Sequence, residues 1–189
     1  MTSFLSELAI YVGRIRLFTR RDWIVYVLWV TTIAGLCGAT AGFLAIGARH
    51  GVDYPVEAYL VPIGAGLFAL AIAIDTIGHF TIYRSAIAGG EALVHQITIA
   101  CGVGSVVLLV VGYAHRAAVI PAGVLTGLSI LYSLVDEGFH WRRYIHHGAD
   151  RVEMWSHVGI LLGHTTMMAA WWWWYAIGYP GVAETLVHL

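Results

Sequence analysis

The chain contains no lysine; all ten of its Lys or Arg residues are arginine. Without lysine there is no Schiff base, which excludes retinal–lysine photochemistry. Charge of either sign is scarce. Only 11% of the 189 residues are Asp, Glu, Lys or Arg, where a soluble domain averages roughly 25%. That is too little charge to cover a soluble surface. The formal net charge of −1 carries no electrostatic footprint for nucleic acid. The two cysteines, Cys37 and Cys101, sit inside apolar runs. They provide no disulfide framework and read as small packing residues.

What the chain does have is apolar length: 59% of its residues are hydrophobic, with a mean hydropathy of +0.77. A spanning helix needs about 20 predominantly apolar residues. Five stretches qualify, at about 23–46, 56–83, 91–113, 119–144 and 152–178. The expected fold is therefore all-α, a single polytopic membrane helix bundle. Residues 1–21 carry Leu5, Leu8, Ala9, Val12 and Ile15 at helical spacing, with Arg14, Arg16, Arg20 and Arg21 late in the segment. A cleaved signal places its charges before its apolar region. This segment reads instead as an amphipathic helix lying along the membrane surface. Gly89 and Gly90 are expected to break the chain between the second and third spans, and His146 and His147 to lie in the loop after the fourth.

Arginine placement gives an expected orientation. Arg14, Arg16, Arg20, Arg21, Arg84, Arg142, Arg143 and Arg151 fall on one side, and only Arg49 and Arg116 on the other. By the positive-inside rule the N-terminus is cytoplasmic, in a prokaryotic-type cytoplasmic membrane. Trp171 to Trp174 and Tyr175 fall near the outer end of the last stretch, where an aromatic belt would account for them.

Four times a carboxylate is followed four residues later by a histidine: Asp75/His79, Glu91/His95, Asp136/His140 and Glu153/His157. Residues i and i+4 share a helix face, about 5–6 Å apart at Cβ, so each pair aims two ligands at one point. Asp75 to Asp136 and His79 to His140 are each 61 residues; Glu91 to Glu153 and His95 to His157 are each 62. The regularity suggests an internal duplication, with halves at about 56–113 and 119–178. The first and third pairs end their helices, and the second and fourth begin theirs. All four therefore belong toward the cytoplasmic side.

A carboxylate at a helix centre costs about 2.5–3.5 kcal/mol on insertion scales, and buried acids need a compensating positive charge. A divalent transition metal supplies it, and carboxylate with imidazole suits copper, iron, zinc or manganese better than calcium. The candidate ligands are Asp75, His79, Glu91, His95, Asp136, His140, Glu153 and His157. His164, seven residues beyond His157, is a further ligand or a donor behind one. Local carboxylate–histidine hydrogen bonds and a proton relay are the competing readings of the same residues. Haem would use two histidines and leave the four acids unexplained.

Two stretches resemble the C subunit of the copper-dependent membrane monooxygenases, the particulate methane and ammonia monooxygenases. Asp75, His79, Arg84 and His95 match that family's Asp-x-x-x-His motif with its following Arg and His. Asp136, Glu137, His140, Trp141 and His157 resemble its second motif, with Asp136 where the family often has Asn. The resemblance covers roughly residues 75–164. It implies copper, monooxygenase activity, and one site of Asp75, His79 and His95 beside another of Asp136, His140 and His157. Glu91 and Glu153 would then be bridging or outer groups.

The resulting expectation is a membrane metal-dependent oxidoreductase or its metal-binding subunit. It would carry one or two ions of copper or iron, act on a small apolar or lipid-like substrate, and have partner subunits or further copies of itself. Metal or proton transport is the alternative, as is zinc-dependent hydrolysis.

Overall fold

The computed structural model describes residues 3–83, 89–147 and 150–189. These residues form helices and turns, with no strand among them. In chain order the helices are α1 (Phe4–Gly13), α2 (Arg20–Arg49), α3 (Val56–Thr81), α4 (Gly89–Ala114), α5 (Val119–His147), α6 (Arg151–Ala176) and α7 (Val182–Leu186). Arg84, counted above in both the charge asymmetry and the family motif, lies outside the described residues.

Four helices, α2 to α5, are long and apolar enough to cross a membrane. Five spans are expected from sequence. The fifth, α6, has the length, at 26 residues, but Glu153, Ser156, His157, His164, Thr165 and Thr166 dilute its hydropathy. Two boundary expectations need correction. Gly89 and Gly90 open α4 rather than breaking the chain ahead of it, and His146 and His147 form the last turn of α5 rather than a loop.

The chain divides into two compact units, Met1–Ile82 with Trp155–Leu189, and Tyr83–Met154. In the first, Ser3 caps α1 by accepting the Ser6 N–H at 3.3 Å. The α2 start is fixed by a reciprocal capping box, Thr19 Oγ1 accepting from Asp22 N–H and Asp22 from Thr19 N–H, which satisfies two otherwise orphaned donors. The α1 helix is tied to α3 by Tyr11, fully buried, whose hydroxyl fills the space a Cβ would need at Gly78. Cys37 donates its thiol hydrogen to the Pro62 carbonyl at 3.3 Å, joining α2 to α3.

A close helix approach in this unit runs through two glycines. A Cβ on Gly64 would lie 2.5 Å from Met167 N and 2.9 Å from Gly163 O, and one on Gly163 would lie 2.5 Å from Phe68 N. The α3 and α6 backbones therefore meet without intervening side chains, as small residues allow between membrane helices. Beyond α6, the Tyr54 ring fills the space at Gly47 and Gly181, and its hydroxyl bonds Thr185 of α7.

The tryptophan run is only partly a belt. Trp171 and Trp174, three residues apart on one helix face, are buried, whereas Trp173 is exposed. Trp171 donates its indole N–H to Tyr179 Oη at 3.0 Å, and Trp174 donates to the Pro180 carbonyl at 3.1 Å.

In the second unit α4 and α5 are joined by a short turn at Arg116–Ala118 and pack along buried Val94, Cys101, Leu109 and Ala122. Ser105, Thr126 and Ser129 are buried between the same helices, but each hydroxyl bonds a carbonyl of its own helix. A bond of this kind lets a hydroxyl sit among apolar neighbours.

Candidate metal centres

The conserved i, i+4 geometry of a helix does what the sequence leads one to expect in the first unit. Asp75, near the end of α3, has Oδ2 3.2 Å from His79 Nε2 one turn later. Its other oxygen, Oδ1, lies 3.0 Å from His157 Nε2 on α6. One buried carboxylate thus has an imidazole on each oxygen. The two rings are tilted by 53° with centroids 6.4 Å apart. His164, also on α6, is buried with its ring stacked on Phe68 at 5.4 Å.

The second unit holds a larger cluster. Asp136 Oδ2 lies 3.1 Å from His95 Nε2, and Asp136 Oδ1 lies 3.7 Å from His140 Nε2. One donor atom from each of His95, Asp136 and His140 falls within 4.8 Å of the other two. This repeats the composition of the first cluster, two imidazoles and one aspartate.

Glu91 and Glu153 surround His140 differently. Glu153 Oε1 lies 2.9 Å from His140 Nδ1, and Glu91 Oε1 lies 3.5 Å from His140 Nε2. Arg143 spans both acids, donating from Nη1 to Glu153 at 2.9 Å and from Nη2 to Glu91 at 2.6 Å. Its guanidinium also lies 5.0 Å from the centre of the Tyr83 ring, over its face, and Tyr83 hydrogen-bonds Glu153. Sequence reasoning placed Arg143 among the flanking arginines. The signal for its real position was its place three residues after His140, on the same helical face.

The second histidines are exchanged relative to the grouping that the family resemblance implies. His157 stands with Asp75 and His79, and His95 stands with Asp136 and His140.

The donor chemistry fits a transition metal. Ligands about 2.1 Å from a metal lie about 3.0–3.4 Å from one another; one donor atom each of His95, Asp136 and His140 falls within 4.8 Å of the others, while around Asp75 each imidazole faces a different carboxylate oxygen. His140 joins the second cluster through both ring nitrogens. Its Nδ1 is engaged by Glu153, and its Nε2 faces Glu91 and Asp136 oxygens at 3.5 and 3.7 Å. A cation among these groups would offset the buried carboxylates.

No protein-family model, curated protein or solved structure matches this chain.

Proposed function

We propose that this chain is an integral membrane metalloprotein with two transition-metal sites, Asp75/His79/His157 and His95/Asp136/His140, and that it acts as an oxidoreductase. The observation that carries this reading is the convergence of His95, Asp136 and His140, one donor atom of each lying within 4.8 Å of the other two. The same donor set around Asp75 supports a second site of like chemistry. Two imidazoles and one carboxylate leave coordination positions open, which suits iron or copper chemistry with dioxygen. A metal bound there would supply the redox centre for that chemistry, relaying electrons from an external reductant. The chain's own part is to hold the ion among neutral imidazoles and one fixed carboxylate, away from water.

The substrate class that fits is small and apolar or lipid-like, reaching the sites from the hydrocarbon. In this reading α6 lies at membrane depth as a fifth span, with Glu153, Ser156, His157 and His164 turned to protein. The N-terminus is cytoplasmic, and the two sites descend from a duplicated helix pair.

The test is metal content by mass spectrometry on protein purified in mild detergent, for the parent and for Asp75→Ala and His140→Ala. Two equivalents of iron or copper in the parent and one in each variant are expected, followed by dioxygen consumption by the loaded parent. Joint loss of both ions in either variant would point to one shared centre, and zinc would redirect the assay to hydrolysis. Folded protein that takes up no metal on reconstitution would overturn the reading.

A further inference from the structure

Arg143 lies among the acids of the second cluster, and its contacts bear on which groups would reach a metal. Its two terminal nitrogens hold Glu91 and Glu153 apart, at 2.6 and 2.9 Å. Glu91 Oε1 is only 3.5 Å from His140 Nε2, so a small rotation of the Glu91 side chain would make it a ligand. Glu153 Oε1 accepts from His140 Nδ1 and from Arg143 at once. It therefore fixes the imidazole tautomer while its charge is neutralised from behind. Glu91, the carboxylate that would fill the coordination sphere, is instead bound to a guanidinium.

We infer that Arg143 is a positioning residue that keeps Glu91 off the metal in the His95/Asp136/His140 site, leaving a coordination position open to a small exogenous anion or diatomic ligand. The inference rests on the metal-site reading above and deepens it. A planar guanidinium suits the task because its fork holds two carboxylates in fixed directions and it carries no lone pair that competes for the ion. A buried carboxylate released from it would turn to the nearest cation, which is the metal.

The experiment uses cobalt(II) as the spectroscopic probe and azide as the small anion. Protein carrying Asp75→Ala confines cobalt to the second unit. Azide is expected to shift its visible absorption. Adding Arg143→Leu should retain cobalt while weakening azide binding about 10–100-fold, the usual reach of groups behind the ligands. Adding Glu91→Gln to that variant should restore azide binding, a rescue that general loosening of the fold would not produce. Arg143→Lys keeps the charge without the fork, should lie between the two, and carries the test if the leucine variant does not fold. Azide binding unchanged by Arg143→Leu, or cobalt lost from that variant while folded, would overturn the inference and leave the metal reading standing. Parent protein that takes up no cobalt at either site would instead overturn the metal reading, and this inference with it.

Discussion

His157 Nε2 lies 3.0 Å from Asp75 Oδ1, so an imidazole from α6 completes the carboxylate–histidine pair that α3 carries on its own. The pairing predicts which losses coincide. His79→Ala and His157→Ala should each remove the same single metal equivalent, and the double variant should remove no more. His79→Ala combined with His95→Ala should remove both equivalents. Metal-to-protein ratios for the three combinations decide it. Coincident loss for His79 with His95 would restore the grouping implied by the family resemblance.

Glu153 holds His140 from behind, and Glu153→Gln should weaken metal binding in the second unit by about 10–100-fold while leaving the Asp75 site unchanged. Competition with a chromophoric chelator, run in an Asp75→Ala background, measures this directly. The same substitution weakens a charge-assisted hydrogen bond to a fully buried imidazole. A loss of about 1.5–3 kcal/mol in stability is expected, read as a lower midpoint of thermal unfolding in detergent.

Gly64 and Gly38 should respond oppositely to alanine. A Cβ at Gly64 would meet the Met167 backbone at 2.5 Å, whereas a Cβ at Gly38 meets nothing within 4 Å. Gly64→Ala should destabilise the protein by about 1–3 kcal/mol, because backbone atoms cannot give way as side-chain ends do. Gly38→Ala in α2 should be neutral or stabilising by up to about 1 kcal/mol. Thermal midpoints of the two variants side by side are the check. Equal midpoints would argue against a backbone-to-backbone crossing of α3 and α6.

Tyr179 follows α6 in a left-handed conformation, φ 53°, which is unusual for a bulky residue. Burial pushes its phenol up from 10.0 to about 12; the neighbouring Tyr175 adds to the rise, while the hydrogen bond from Trp171 opposes it. A folded-state value above the unfolded one means that the folded protein holds this proton longer. Its contribution to stability is complete below about pH 10 and is lost as the pH rises through about 12. Ultraviolet titration of parent and Tyr179→Phe should show that the phenolate missing from the variant is the one appearing near pH 12. A missing phenolate near pH 10 would show the ring to be solvated.

The helical class and the four long apolar helices were legible from composition and run length, because a bilayer imposes both on any sequence that crosses it. So was the Asp75/His79 contact, since one helical turn fixes it. The partner of Asp75 on α6 was not legible, because helix packing and not spacing decides whether His95 or His157 arrives. Arg143 was counted as a flanking charge, since a sequence does not show that its helix continues to His147 and directs the guanidinium at Glu91 and Glu153. Charge balance at those two acids therefore comes partly from the chain itself. The tryptophan run misled for a simpler reason. Four adjacent residues circle the helix, so Trp171 and Trp174 turn inward while Trp173 stays out.

The first unit is discontinuous, joining Met1–Ile82 to Trp155–Leu189, while the second is the unbroken segment Tyr83–Met154. This sets an order of events at the ribosome. Glu91, His95, Asp136, His140, Arg143 and Glu153 have all been synthesised before His157 exists. The later half-site stays open through that interval, with Asp75 and His79 waiting on α3 for an imidazole encoded near the end of the message. A nascent chain arrested soon after Met154 would already hold a full complement of groups for one site and only two of the three for the other. Under the proposed two-site reading, metal loading during biosynthesis would be sequential, the interior segment first and the enclosing one last.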